Sequence, residues 1–146
     1  MATLEQGWGA TTVARLGELV DASPLPGLVV VDDDERIGLL TYIERVDGIE
    51  VATIQALEEG RGVGRALMDA MYHQAVQRGA PRLWLMTTND NVRAFAFYQR
   101  WGMDLRRVIH DGVDASRQVK PSIPLIGLTD IPVRHELEFE LVVNRA

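Results

Sequence analysis

Short strand-like apolar segments separated by turns precede the glycine stretch, and then the period changes. Residues 11–16 (TTVARL) are β-rich and predict a first strand, and 21–27 (DASPLPG) read as a proline-rich loop. Residues 28–31 are an apolar run closed by an acidic turn at 32–35 (DDDE). Strands are predicted at 37–44 and 49–57, with 46–48 (VDG) as a hairpin turn between them. From Val63 the spacing becomes four: Val63, Leu67, Met71 and Ala75 form the apolar stripe of a helix that ends at Gly79 and is stopped by Pro81. Residues 82–88 (RLWLMTT) are a dense apolar strand, expected to lie centrally and parallel to the strand before the helix. Asn89, Asp90 and Asn91 offer caps for a second helix over 92–100, closed by Gly102. A strand at 103–109 follows, then an irregular stretch at 111–132. A last strand is predicted at 135–143, where apolar and acidic residues alternate. The order implies a mixed α/β domain with a central sheet.

Bulk properties narrow the function. A chain of 146 residues fits one domain, residues 1–146, with a core of its own. There is no cysteine, which removes disulfides, thiolate metal sites and a cysteine nucleophile, and three scattered histidines do not suggest a structural zinc. No apolar run reaches the roughly 18 residues that span a bilayer, and the start lacks a signal pattern, so a cytoplasmic location is expected. The net charge of −6 argues against general nucleic-acid binding. No basic amphipathic helix points to a membrane surface.

In an acidic chain, an anionic ligand has to be met by local positive features, and residues 58–67 (EEGRGVGRAL) supply them. Gly60, Gly62 and Gly64 weaken a first helical turn, a cost that an anion held on free backbone amides would offset. The stretch is not a P-loop, because no Lys-Ser or Lys-Thr follows the second glycine. It is not a G-x-G-x-x-G fingerprint either, because Arg65 or Leu67 stands where the last glycine should be. What remains is a strand, a glycine-rich turn and a helix whose N–H groups could hold a pyrophosphate, with Arg61 and Arg65 adding charge. A tight packing turn is the plainer alternative.

A second cluster, residues 91–103 (NVRAFAFYQRWGM), changes the balance. Together, EEGRGVGRAL and N-x-x-A-x-x-F-Y-x-x-x-G-M resemble the two motifs of the Gcn5-related N-acetyltransferase family over about two-thirds of the chain. The resemblance implies a mostly antiparallel sheet of six to seven strands with a parallel central pair and flanking helices. It implies an N-acetyltransferase moving an acetyl group directly from acetyl-CoA to an amine of a small molecule or protein. A non-catalytic acyl-CoA-binding or regulatory module of the same fold is the alternative. By the same resemblance, Gly60, Arg61, Gly62, Val63, Gly64 and Arg65 would hold the pyrophosphate. The backbone at Ala56 and Leu57 would pair with the pantetheine arm and polarise the thioester, and Asn91 would bind the arm from the second helix. Glu59 departs from the Gln or Arg that usually opens the first motif. Residues 17–27 leave little room for the helices that usually shape the acceptor side, which would then be open or completed by a partner subunit, as in a homodimer.

Tyr98 matches the tyrosine that often serves as general acid, a phenol that stays protonated at neutral pH; it can also be read as a core aromatic, since Phe95 shares its helical face. For the base, Glu50 lies on the strand before the glycine turn, where strict alternation puts it on one face with Ala52, Ile54 and Ala56. Burial there would raise its pKa, whereas a place just after the Asp-Gly turn would leave it solvated. His110 is the other candidate, with water as the third choice. His73 is expected to be exposed and His135 structural.

Overall fold

The computed structural model describes residues 12–57, 61–127 and 129–143. Eleven elements follow in order: β1 (Thr12–Arg15), β2 (Glu18–Asp21), β3 (Gly27–Asp32), β4 (Glu35–Arg45), β5 (Gly48–Ala56), α1 (Val63–Gln77), β6 (Arg82–Thr88), α2 (Val92–Trp101), β7 (Asp104–Ile109), α3 (Val113–Val119) and β8 (Glu136–Val142). Strands β3 to β8 form a six-stranded sheet in the order β3-β4-β5-β6-β8-β7, mostly antiparallel with β5 and β6 as the parallel pair. Strands β1 and β2 form a separate ladder. The elements group into two compact units, one built around residues 21–83 with Val142 and Val143, the other from residues 13–20 and 84–141. None of the described helices is long and apolar enough to cross a membrane.

In the first unit the acidic run becomes the turn between β3 and β4. Asp33 and Asp34 both take left-handed φ values, 49° and 66°, the geometry of a two-residue hairpin whose twist suits the strands. Helix α1 buries the stripe that its spacing foretells: Val63, Leu67, Met68, Met71 and Ala75. Each fully buried side chain of the larger kind stabilises the unit by about 1.5–3 kcal/mol. The helix lies close against the Gly38, Leu40 and Tyr42 face of β4. A Cβ at Gly38 would run into Val63 Cγ1, so only glycine admits the helix at this distance.

The second unit holds what the sequence pattern does not show. Leu16 and Gly17, at φ 55° and 74°, turn β1 back into β2, a strand read from the sequence as part of a connecting segment. Buried Glu136 anchors that turn: its carboxylate accepts from the Leu16 amide at 3.0 Å and from Ser116 Oγ at 2.7 Å, while Ser116 Oγ accepts from the Gly17 amide at 3.2 Å. Ser116 sits on α3, inside the stretch expected to be irregular. Arg117, one residue on, donates to the carbonyls of Ile123, Pro124 and Val133 and holds the following segment. Helix α2 sets Phe95 and Tyr98 against Phe139 of β8, with ring centroids 5.8 and 5.6 Å apart.

Candidate functional site

The end of β5 and the start of α1 carry the candidate residues of the first unit. Gly62 is the N-cap of α1 at φ 73°, a conformation that L side chains rarely adopt. The first intrahelical bond runs from the Ala66 amide to the Gly62 carbonyl, so the amides of Val63, Gly64 and Arg65 have no acceptor within the helix. No side chain caps this terminus, and its first turn carries no acidic residue. Such an end attracts an anion. Arg61 meets Asp32 at 2.7 Å and Arg65 meets Asp69 at 4.0 Å, both in the open. Exposed pairs of this kind are weak, and a phosphate could draw either arginine away. Gly60 and Glu59 lie outside the described residues. Of the two strand positions, Leu57 donates its amide to Ile37 of β4 at 3.0 Å. Alternation then turns the Ala56 amide to the opposite edge, where a ligand chain could pair with it.

Strand β5 does not alternate as the sequence suggests. Thr41 pairs with Thr53, but the next residue, Tyr42, pairs with Val51; Ala52 is an extra residue, a β-bulge. Glu50 faces Ile43 and Gln55 faces Leu39, so Glu50, Thr53 and Gln55 share the face opposite α1, while Ile49, Val51, Ile54 and Ala56 share the helix face. The expected grouping of Glu50 with Ile54 and Ala56 is therefore corrected by the bulge. So is the solvated alternative: Glu50 is only 1 % exposed, and Arg45 Nη1 supplies a counter-charge at 3.2 Å. Thr41 and Thr53 join hydroxyls at 2.6 Å on the same face. Gln55 Oε1 is buried and accepts nothing among the described residues. An unpaired buried acceptor costs about 1–3 kcal/mol.

Asn91 and Tyr98 belong to the second unit. Asn91 caps α2, its Oδ1 accepting from the Ala94 amide at 3.2 Å, which leaves its side-chain NH2 as the group a ligand could meet. Asn91→Ala should lower stability by about 1 kcal/mol through the lost cap, read as a drop in melting temperature. Tyr98 is buried, and burial pushes its hydroxyl pKa up to about 12. The phenol is therefore a proton donor across the whole physiological range, and its ring is also a core aromatic against Phe139.

His110 stands in the open, its side chain 76 % exposed, with Nδ1 3.2 Å from Asp111. His135 stacks on it at 4.7 Å and accepts the Asp111 amide on Nδ1 at 2.9 Å. The Arg134 hydrogen bond holds the Asp111 carboxyl below its usual range. The three residues offer ligand atoms within 4.8 Å of one another. One of these atoms, His135 Nδ1, already accepts the Asp111 amide, so the group reads as a clamp on the turn after β7. His135 is structural, as expected. Asn89 completes this clamp, accepting from the amides of Arg134 and His135 and donating to the Pro132 carbonyl. Only the polar Asn-Asp-Asn run hinted at it.

Comparison with known proteins agrees with this geometry. The chain is 34 % identical over 93 % of its length, and 86 % of the relative's, to the YxbD protein of Bacillus subtilis (strain 168). It is 32 % identical over 94 % of its length and 86 % of the relative's to YdhI of the same organism. A Bacillus subtilis acetyltransferase solved in complex with CoA superimposes with a TM-score of 0.68 at 20 % identity, covering 80 % of this chain and 75 % of that one. The acetyltransferase (GNAT) family model matches residues 3–103, and with two relatives above 30 % identity over nearly its whole length, the chain belongs to that family.

Proposed function

We propose that residues 1–146 work as one acetyl-CoA-dependent N-acetyltransferase domain. The observation that carries the reading is the turn at Gly62, which opens three helix amides at the end of β5 in a chain of this family. The related Bacillus subtilis enzyme was solved with CoA bound, which supports the same cosubstrate here. The pyrophosphate would sit on residues 60–65, and the Ala56 amide would pair with the pantetheine arm.

In the proposed reaction the amine nitrogen attacks the thioester carbonyl, the C–N bond forms and the C–S bond breaks. Glu50 takes the proton that the ammonium must shed, and the Tyr98 hydroxyl returns a proton to the departing sulfur. Glu50 suits the base role better than His110, because it is buried on the sheet face opposite α1, whereas His110 is exposed and tied to Asp111.

Calorimetric titration of acetyl-CoA into the protein tests the reading. Binding at about micromolar Kd is expected, followed by turnover in a screen of primary amines. Absence of binding would overturn the proposal. Binding without turnover of any amine would favour a regulatory acyl-CoA module.

A further inference from the structure

Two histidines lie ring on ring beside the turn after β7, and the proposed reaction uses neither. Their centroids are 4.7 Å apart and their planes 28° apart. The two rings are not alike. His110 stands in solvent, with Nδ1 3.2 Å from Asp111 Oδ2. His135 is largely covered, its side chain 21 % exposed, and its Nδ1 accepts the Asp111 amide at 2.9 Å. A ring nitrogen that accepts carries no proton, so the neutral His135 ring keeps its proton on Nε2. A second proton goes to Nδ1, where it faces the amide hydrogen. Two donors cannot share one bond, so the charged ring gives up this amide.

Another partner is at hand. Asp111 Oδ1 lies 3.9 Å from His135 Nδ1. The Arg134 hydrogen bond holds that carboxyl below its usual range, so it stays ionised at the pH where imidazoles take up charge. Protonation of His135 therefore exchanges the amide of Asp111 for the carboxylate of the same residue. The charged groups around the ring come from several elements. His110 and Asp111 follow β7, and Arg134 Nη2 is 2.9 Å from Asp111 Oδ1. Glu136 of β8 is taken by the Leu16 amide and Ser116 Oγ, and Asp114 of α3 lies 3.7 Å from Arg117. The turn between β6 and α2 meets His135 with the neutral Asn89, whose Oδ1 accepts the His135 amide at 2.8 Å.

The amide bond helps to fix Asp111 at φ 55°, a left-handed value that a non-glycine residue takes at a cost. Asp111 in turn opens α3. Its carbonyl accepts from the Asp114 amide at 3.0 Å, and beside it the Val113 amide reaches the Arg134 carbonyl at 3.0 Å. We propose that His135 is a pH-sensitive latch on the start of α3, closed while its ring is neutral and open once Nδ1 is protonated. The sign follows from the geometry: the latch holds at neutral and alkaline pH and is lost as pH falls through the range in which imidazole charges, about pH 8 to 5. The inference stands apart from the acetyltransferase reading.

Amide NMR with hydrogen exchange on the full chain, from about pH 8 to about pH 5, tests it. Protection of the Asp111 amide, corrected for intrinsic exchange, should fall by about five- to tenfold, the worth of one hydrogen bond. Its proton signal should move upfield along a single titration curve. The Phe95 amide, bonded to Asn91 inside α2, should keep its protection. His135→Asn puts a carboxamide oxygen near the place of Nδ1 and takes up no proton, so it should hold Asp111 equally at both ends of the range. His110→Phe keeps a ring against His135 and should leave the fall in place. The proposal is overturned if Asp111 protection is flat in the wild type or if the fall survives His135→Asn. Loss of the fall in His110→Phe overturns it too, because the exposed ring would then be the titrating group. So does a loss of protection that extends to Phe95, which would be general unfolding in acid.

Discussion

Tyr98→Phe should lower kcat for acetyl transfer by about 100- to 1,000-fold, the usual worth of a positioned proton donor, while leaving acetyl-CoA affinity unchanged. Phenylalanine keeps the ring that packs on Phe139 and removes only the hydroxyl. Burial pushes the Tyr98 pKa up to about 12, so the wild-type residue carries its proton at every pH where the enzyme would be assayed. The variant should therefore lose rate evenly across the pH range. Steady-state kinetics from pH 6 to 9 would check this. Retained activity would reduce Tyr98 to its packing role. The same burial carries a stability signature. The folded-state value lies above the ordinary 10, so this contribution is intact below pH 10 and fades as pH rises toward 12. Over that window the wild type should lose about 2–3 kcal/mol that Tyr98→Phe does not.

Gly62→Val should weaken acetyl-CoA binding by at least about 100-fold, the loss of two charge-assisted amide hydrogen bonds. A Cβ at Gly62 meets nothing within 4 Å, so the substitution causes no clash and the fold should survive it. The strain lies in the backbone: at φ 73° an L residue is disfavoured by about 1–2 kcal/mol. Relaxing that strain rotates the turn and moves the amides of Val63, Gly64 and Arg65 away from a common point. Calorimetry, with circular dichroism and melting as controls for the fold, would separate the two effects. A folded variant that still binds at wild-type affinity would show that the glycine turn serves only to pack α1.

Periodic segments were legible in the sequence because burial imposes their period. The stripe Val63–Leu67–Met71–Ala75 and the dense run at 82–88 appear as α1 and β6 almost to the residue. Helix α3 was not legible: only Val113 and Ser116 are buried on it, and Ser116 is there for Glu136, a polar contact between distant positions that leaves no periodic trace. Strand β2 was hidden for a related reason, since the turn before it is held by the Leu16 amide on that same carboxylate and by the Gly17 amide on Ser116 Oγ. Within the candidate site, Gly62 and Asn91 could be placed from spacing and capping rules. The environment of Glu50 could not. Period-two reasoning assumes an unbroken ladder, and Ala52 breaks it.

That extra alanine ties the chemistry of the strand to a single codon. Deleting it would restore plain alternation, so that either Glu50 or Gln55 would turn toward the α1 face in place of the opposite one. Point substitutions at neighbouring positions change one side chain at a time. A length change at Ala52 would reassign half a strand at once, so along this strand homologues that differ by one residue in length should differ in which residues face α1 even where their motifs agree.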